Sequence, residues 1–164
     1  MIDSGSIQLI EMRLIVDHRW ERGDYLEQGV TLPNIPEAQL GEPMPYESYM
    51  VARAVGKLIP GRVGKLVVEF PPNIAESNEL HTHPSDRIVT ILEGSGVFVA
   101  QRDNNFVRHF LQPGDRIYMP RWIVHTFWAY CEGIKAFCEH GPYRDIKNDP
   151  EAYQPWGPIP ESLK

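Results

Sequence analysis

The sequence has only two cysteines among its 164 residues, Cys131 and Cys138, and it has no long apolar run. Two cysteines on what is predicted to be one strand do not form a disulfide framework, so both are expected to be buried, reduced thiols. No apolar stretch approaches the length of a membrane span, and residues 1–4 lack the basic start of an export signal. These features predict a cytoplasmic protein.

Positive charge is also sparse. Lys and Arg number 16 against 22 Asp and Glu, which gives a formal net charge of −6. Because phosphate binding needs clustered cations, nucleic acid is not expected as the main partner. The sequence lacks a Gly-rich phosphate loop, a Ser nucleophile elbow and a Cys-x-x-Cys pair. Covalent nucleophilic catalysis therefore has no support, and a small molecule is the expected partner.

Residues 1–47 are expected to form an irregular N-terminal arm. Residues 7–16 are apolar enough for a strand or a short helix, and the pattern does not decide between them. Four prolines between residues 33 and 45 then prevent any long regular element. Such an arm is expected to pack on the barrel or on a partner subunit, which predicts a homodimer.

Residues 48–140 contain short β-branched segments that are separated by turn signals such as Gly94-Ser95-Gly96. This pattern predicts one all-β barrel or sandwich. Residues 141–164 form a C-terminal tail. There, Asp149 followed by Pro150 predicts the start of a short helix.

One early strand carries a candidate catalytic carboxylate. Leu66, Val68 and Phe70 alternate with Glu69, so they form the apolar face of a strand. Glu69 could line the cavity and act as a general base, or it could lie on the solvent face.

His81 and His83 are the main candidates for metal binding. On a strand, residues two apart point to the same face, so both imidazoles could bind one ion. Imidazole is a common ligand of divalent transition metals. An isolated pair of this kind has many other uses, so its context matters.

That context resembles the cupin superfamily. The first cupin motif has His-x-His, an acidic or amide residue, then six residues and a glycine; here His81, His83 and Gly94 match it. The second motif is matched by Gly114, Pro120 and His125. Two further positions depart from the second motif: Trp122 stands where the family often has glycine, and Ala129 where it often has asparagine.

The resemblance covers roughly residues 48–140. It implies a double-stranded β-helix, a jelly-roll barrel, with a metal inside that is held by His81, His83 and His125.

Arg87 stands at the family's acidic ligand position. A guanidinium stays protonated and has no lone pair for a metal. Three hypotheses follow. Three histidines hold the metal while Arg87 binds an anionic substrate group; the adjacent Asp86 supplies the carboxylate; or the site is metal-free and binds an anion.

Three aromatic residues are predicted to line the substrate pocket beside Arg87: Phe127 shares strand parity with His125, and Tyr118 and Trp122 flank the second motif. Core packing explains Phe127 equally well. The remaining histidines have no motif context and are expected to be structural or on the surface; these are His18, His109 and His140.

The predicted function is a metal-dependent enzyme of the dioxygenase type that acts on a small molecule, and Arg87 would suit an anionic one. Three histidines leave coordination positions open for catalysis, and Arg87 and Glu69 are the predicted catalytic residues. One divalent transition metal is the expected cofactor: iron first, with zinc, nickel or manganese as alternatives. The other functions left open are a non-enzymatic binding or sensor protein and a metal-dependent isomerase or lyase.

Overall fold

A bent, ten-stranded sheet forms the body of the protein in the computed structural model, which describes residues 4–72 and 79–163. The paired strands are antiparallel throughout, which confirms the predicted all-β barrel. The elements are α1 (Ser4–Arg22), β1 (Leu26–Glu27), β2 (Met44–Pro45), β3 (Val51–Ala54), β4 (Gly64–Phe70), β5 (Glu79–Thr82), β6 (Asp86–Arg102), β7 (Asn105–Leu111), β8 (Arg116–Met119), β9 (His125–Gly141) and β10 (Gln154–Pro158). Short 3-10 turns lie at Glu37–Gln39, Glu47–Tyr49 and Glu161–Leu163.

The two longest strands, β6 and β9, run through both layers of the barrel. Near Arg87, which pairs with His140, β6 lies between β8 and β9; near Ala100, which pairs with His125, it lies between β7 and β9. One layer therefore has the order β1-β8-β6-β9-β4-β3-β2, and the other has the order β7-β6-β9-β5-β10.

Two glycines allow β6 and β9 to bend together. Gly94 has φ +85° and Gly133 has φ +72°. A Cβ built at Gly94 would lie 1.9 Å from the carbonyl oxygen of Gly133. The predicted turn at Gly94-Ser95-Gly96 is thus a bulged bend within one strand, because hydrogen bonding to β9 continues on both sides of it.

Apolar side chains from both layers fill the barrel. Leu66, Val68 and Phe70 point inward as predicted and are 0%, 0% and 7% exposed. Phe98 and Phe127 face them from the other layer. The burial of this core is the main stabilising contribution to the fold.

The N-terminal arm contains a 19-residue helix. It decides for the helix that the sequence left open over residues 7–16, and it makes the arm more regular than expected. Met12 and Val16 lie one turn apart on α1 and pack on Ile88 and Tyr118, on the outer face of the first layer. The helix ends at Gly23, whose φ of +80° allows the chain to turn away. Among the described residues, no helix combines the length and the apolar character that crossing a membrane requires.

The predicted C-terminal helix does not form. The Asp149 carboxylate accepts a hydrogen bond from the backbone N–H of Glu151 (3.0 Å), but the segment makes only turns. The chain then forms β10 along the free edge of β5, and Ile159 packs on Leu80 and Trp128 outside the second layer. Pairing with the edge of β5 and the burial of Ile159 outweigh the local helix signal, since tertiary context routinely overrides local propensity.

Both cysteines lie on β9 and are free. Cys138 is buried in the barrel as expected, at 5% exposure. Cys131 is exposed, which corrects the expectation for that residue, since it lies next to the bend at Gly133 where the strand leaves the core.

Candidate metal centre

The three histidines of the two motifs meet inside the barrel. His81 lies in β5, His83 directly follows it, and His125 opens β9 as the Cα partner of His81. Their ring centroids are 4.5 to 5.3 Å apart, and one ligand nitrogen from each lies within 4.8 Å of the others. Each residue is 2% exposed. The structure thus places together the three residues that the sequence predicts as ligands.

Backbone carbonyls fix the tautomer of each imidazole. The hydrogen bonds run from His81 Nδ1 to Glu79 O (2.9 Å), from His83 Nδ1 to Ala152 O (2.7 Å) and from His125 Nδ1 to Ile123 O (3.0 Å). Because a carbonyl can only accept, each Nδ1 carries a proton and each Nε2 of the neutral ring has a free lone pair. The Nε2 atoms of His81 and His83 are buried and have no hydrogen-bond partner among the described residues.

Burial also keeps imidazoles neutral. It lowers the pKa of His83 to about 4, with a further contribution from the nearby Arg87 guanidinium. Burial holds the pKa of His125 well below its ordinary value, and His81 and His83 add to this shift. A neutral imidazole is the form that binds a metal. The orphaned Nε2 atoms and neutral rings fit a divalent transition metal.

A carboxylate that the sequence did not reveal joins the three histidines. Glu47 reaches the site from a 3-10 turn, and its side chain is 8% exposed. Its Oε1 is 3.5 Å from His81 Nε2, and its Oε2 is 3.2 Å from His83 Nε2.

Arg87 points inward and is 6% exposed. Its Nη1 lies 4.0 Å from Glu47 Oε1, and its buried Nε has no hydrogen-bond partner among the described residues. A buried guanidinium is tolerated only beside a carboxylate partner. In the structure the partner from the protein is Glu47.

Asp86 faces away from the histidines, which corrects the hypothesis that it supplies the acidic ligand. Its carboxylate accepts hydrogen bonds from Arg13 Nη1 (2.7 Å), from the backbone N–H of Arg121 (2.8 Å) and from Arg121 Nη2 (3.1 Å). On a regular strand, neighbouring residues point to opposite faces, so Arg87 inward places Asp86 outward.

Glu69 lies on the solvent face of β4, which was the alternative that the sequence left open. It is exposed, and its Cα partners are Val51 and Lys135. This position corrects its expected catalytic role, because β4 turns Leu66, Val68 and Phe70 inward instead.

The three aromatic residues predicted for the pocket are spread over different places. Phe127 is in the core, with its ring centroid 6.0 Å from that of His125. Tyr118 lies beneath α1 and donates a hydrogen bond to Glu27, so the structure removes it from the pocket. Trp122 is 51% exposed on the surface, where only its backbone N–H contacts the site, donating to His83 O (2.8 Å).

Sequence reasoning also missed three residues around the centre. Tyr153 stacks on His81, with centroids 4.5 Å apart, and donates a hydrogen bond to Glu79. His140 is 1% exposed, and its Nε2 lies 3.3 Å from the Tyr46 hydroxyl. No motif marks these positions, and the strand pairing that places His140 beside Arg87 could not be read from spacing alone.

The two other histidines stay outside the centre, as expected. His109 is half-buried and its Nε2 lies 2.9 Å from the Tyr25 hydroxyl, whereas His18 is exposed on α1.

Comparison with known proteins gives a partial sequence match and a fold. Residues 62–132 match the family model described as the ARD/ARD' family. Among solved structures, oxalate decarboxylase of Bacillus subtilis superposes with a TM-score of 0.55 at 18% identity over 77% of this chain and 34% of that one. The chain has the cupin fold. Pac13 of Streptomyces, a nucleoside dehydratase of which a variant was solved with uridine, has the same fold: the TM-score is 0.55 at 13% identity, over 81% of this chain and 97% of that chain.

Curated proteins that are similar to part of this chain include several acireductone dioxygenases. That of Xenopus tropicalis is 46% identical over 50 residues, which is 30% of this chain and 28% of the relative. The human protein is 40% identical over 64 residues, 36% of each chain, and that of Tuber melanosporum is 33% identical over 75 residues, 43% of each. The chain therefore spans less than half the length of these relatives. The family match over residues 62–132 includes His81, His83 and His125.

Proposed function

We propose that the protein is a metal-dependent dioxygenase that acts on a small anionic molecule at the centre formed by His81, His83 and His125. One observation carries this proposal: all three imidazoles are held by backbone carbonyls so that their Nε2 lone pairs converge in one buried space. Protein ligands that leave coordination positions open are typical of catalytic rather than structural metal sites.

The proposed ion is divalent iron. When bound, a redox-active ion would supply the activation of dioxygen, and imidazole ligands suit iron as well as nickel, zinc and manganese. The similarity to acireductone dioxygenases over residues 62–132 supports the choice of reaction class.

Arg87 is the proposed binding group for the substrate. A buried guanidinium with an unpartnered Nε can donate to a carboxylate or an enolate oxygen, and such charge-assisted bonds are strong and directional. The name of the relatives indicates an enediol compound, acireductone, as the first substrate to try on this protein.

The enclosure of the centre supports a second candidate, a binding protein without enzymatic activity. The three histidines are 2% exposed and the Glu47 side chain 8%, so a substrate has little room to enter without a rearrangement. Metal binding without turnover would favour this function.

Oxygen consumption separates the two functions. We expect iron-loaded protein to consume oxygen in the presence of acireductone, and His81→Ala and His125→Ala to lose both metal and activity. The His18→Ala variant, at an exposed histidine on α1, is the matched control. Iron-loaded protein that binds small anions without consuming oxygen would contradict the dioxygenase, and full metal occupancy in His81→Ala would contradict the centre itself.

We also propose a homodimer. Ile7, Ile10 and Leu14 form one stripe on α1 and are 45%, 52% and 65% exposed. A second copy can cover such a stripe with its own, as a two-fold interface requires. Sedimentation velocity at micromolar concentration should show a dimer for the protein and for Leu32→Glu, and a monomer for Leu14→Glu; a monomeric wild-type protein would contradict the proposal.

The proposed location remains the cytoplasm, in keeping with two free thiols. Fractionation of cells that produce the protein checks this.

A further inference from the structure

We propose that Glu47 is a ligand of the metal centre, and that it supplies from the N-terminal segment the carboxylate that β6 lacks at Arg87. This inference rests on the proposed metal centre at His81, His83 and His125. It adds a fourth protein ligand from a part of the chain that the family match, over residues 62–132, does not include.

The first support is that hydrogen-bond acceptors of the histidines and of Glu47 face each other. The Nδ1–H groups of His81 and His83 donate to carbonyls, so their Nε2 lone pairs face the carboxylate of Glu47. The closest pair, His83 Nε2 and Glu47 Oε2, is 3.2 Å apart, yet both atoms lack a hydrogen-bond partner among the described residues. Lone pairs that face each other in a buried space repel unless a cation lies between them.

The second support is the spacing of these atoms. Two ligand atoms that lie about 2.1 Å from one ion, at a roughly tetrahedral angle, are about 3.2–3.4 Å apart. Glu47 is 3.5 Å from His81 Nε2 through Oε1 and 3.2 Å from His83 Nε2 through Oε2. The carboxylate thus already has the separation from two imidazoles that a shared ion requires.

The third support is the position of Arg87. It occupies the inward place on β6, and a guanidinium cannot coordinate a metal. Its Nη1 lies 4.0 Å from Glu47 Oε1, so Glu47 lies between the imidazoles and the guanidinium. One carboxylate can therefore bind the ion and offset the repulsion between the ion and Arg87.

The local backbone holds Glu47 in this place. The backbone N–H of Met50 donates to Glu47 O (3.0 Å), and that of Tyr46 donates to Met50 O (3.0 Å), which closes a tight turn. Met50 is 3% exposed and belongs to the barrel core. The Tyr46 hydroxyl lies 3.3 Å from His140 Nε2. Glu47 is thus anchored on both sides.

Metal affinity of the full-length apo protein tests the proposal, with Co²⁺ alone as the probe. Competition with a chelator gives the affinity, and the visible absorption of bound Co²⁺ reports on its ligands. We expect Glu47→Gln to weaken Co²⁺ binding by at least about 10-fold and to change the spectrum. Glu47→Asp, which keeps the charge but shortens the side chain, should also change the spectrum. Glu69→Gln, at an exposed carboxylate on β4, should change neither.

A double variant separates ligation from simple neutralisation of Arg87. If Glu47 is a ligand, Glu47→Gln/Arg87→Met regains only the part of the Co²⁺ affinity that repulsion by Arg87 had cost, and it binds more weakly than wild type. Arg87→Met alone binds Co²⁺ at least as tightly as wild type. Recovery of wild-type affinity in the double variant, or unchanged affinity in Glu47→Gln, would overturn the proposal while leaving a three-histidine centre. Equal binding by wild type and His81→Ala would instead overturn the metal centre, and Glu47 as its ligand with it.

Discussion

The guanidinium of Arg13 on α1 lies 2.7 Å from the carboxylate of Asp86 at the start of β6. The same carboxylate, which is 1% exposed, also accepts from the backbone and side chain of Arg121. One buried acidic group therefore joins the helix, the long strand and the loop that leads to His125.

Removing this group is expected to destabilise the protein but not the metal centre. Asp86→Ala leaves the buried N–H of Arg121 without a partner, and the free energy of unfolding should fall by about 2–3 kcal/mol. Arg13→Ala should cost less than about 1 kcal/mol, because the Arg13 side chain is 40% exposed. Urea denaturation measures both values. A loss of metal from folded Asp86→Ala would revive the hypothesis that Asp86 is a ligand.

Arg87 is expected to recognise anions rather than the metal. Arg87→Met keeps much of the apolar length of the side chain and removes its charge. The affinity of the metal-loaded protein for oxalate should fall by about 2–3 kcal/mol, the contribution of a charge-assisted hydrogen bond, while metal content is retained. Calorimetric titration measures this change, with the surface variant Arg108→Met as control. Unchanged affinity for oxalate and for smaller carboxylates would contradict a role of Arg87 in anion binding.

The two thiols are expected to differ strongly in reactivity. Burial raises the pKa of Cys138 to about 12, and the nearby Arg87 opposes this only in part. At pH 8 only about one Cys138 in ten thousand would be a thiolate, so a disulfide reagent should modify Cys131 alone. Cys131→Ser should then react only after unfolding. Rapid reaction of native Cys131→Ser would contradict the buried position of Cys138.

The raised pKa of Cys138 also predicts that the protein loses stability at alkaline pH. The native state retains the Cys138 proton up to about pH 12, whereas the unfolded chain loses it near pH 8.5. Because the native state binds more protons in this range, the free energy of unfolding falls as the pH rises from about 9 towards 12. The free energy of unfolding of Cys138→Ala, measured by urea denaturation, should fall less steeply over this pH range than that of wild type. An equal slope would contradict the raised pKa of Cys138.

The bend shared by β6 and β9 is expected to tolerate no side chain. Gly94→Ala would place its Cβ 1.9 Å from the Gly133 carbonyl oxygen and force an unfavourable φ, so we expect a loss of more than about 3 kcal/mol or failure to fold. Gly29→Ala is the matched control, because Gly29 has φ +70° but no atom within 4 Å of its Cβ position. It should cost only about 1–2 kcal/mol. Similar thermal unfolding of the two variants would contradict the close contact.

The histidine cluster could be predicted in two steps. Strand alternation puts His81 and His83 on one face. The resemblance to the second cupin motif then identifies His125. Glu47 could not be found in this way, since its place depends on how a proline-rich segment folds back onto the barrel. Nothing near Glu47 in the sequence marks it as part of a site.

The N-terminal helix was ambiguous for a different reason. α1 buries Met12 and Val16 but leaves Ile7, Ile10 and Leu14 exposed, so its apolar residues do not follow one face. At the C-terminal end, Asp149 and Pro150 gave a sound local helix signal. The edge of β5 overrides that signal, and only the folded barrel contains this edge.

The hydrogen bond from His83 Nδ1 to Ala152 O joins residues 69 positions apart, and it has a consequence for the order of synthesis. A growing chain that has reached His125 already contains all three imidazoles. It lacks the carbonyl that fixes the His83 tautomer and the Tyr153 ring that stacks on His81. The cluster is therefore completed only when the ribosome has released residues 152–153, so a chain that stalls shortly after β9 contains the three histidines without the contacts that orient His83 and His81.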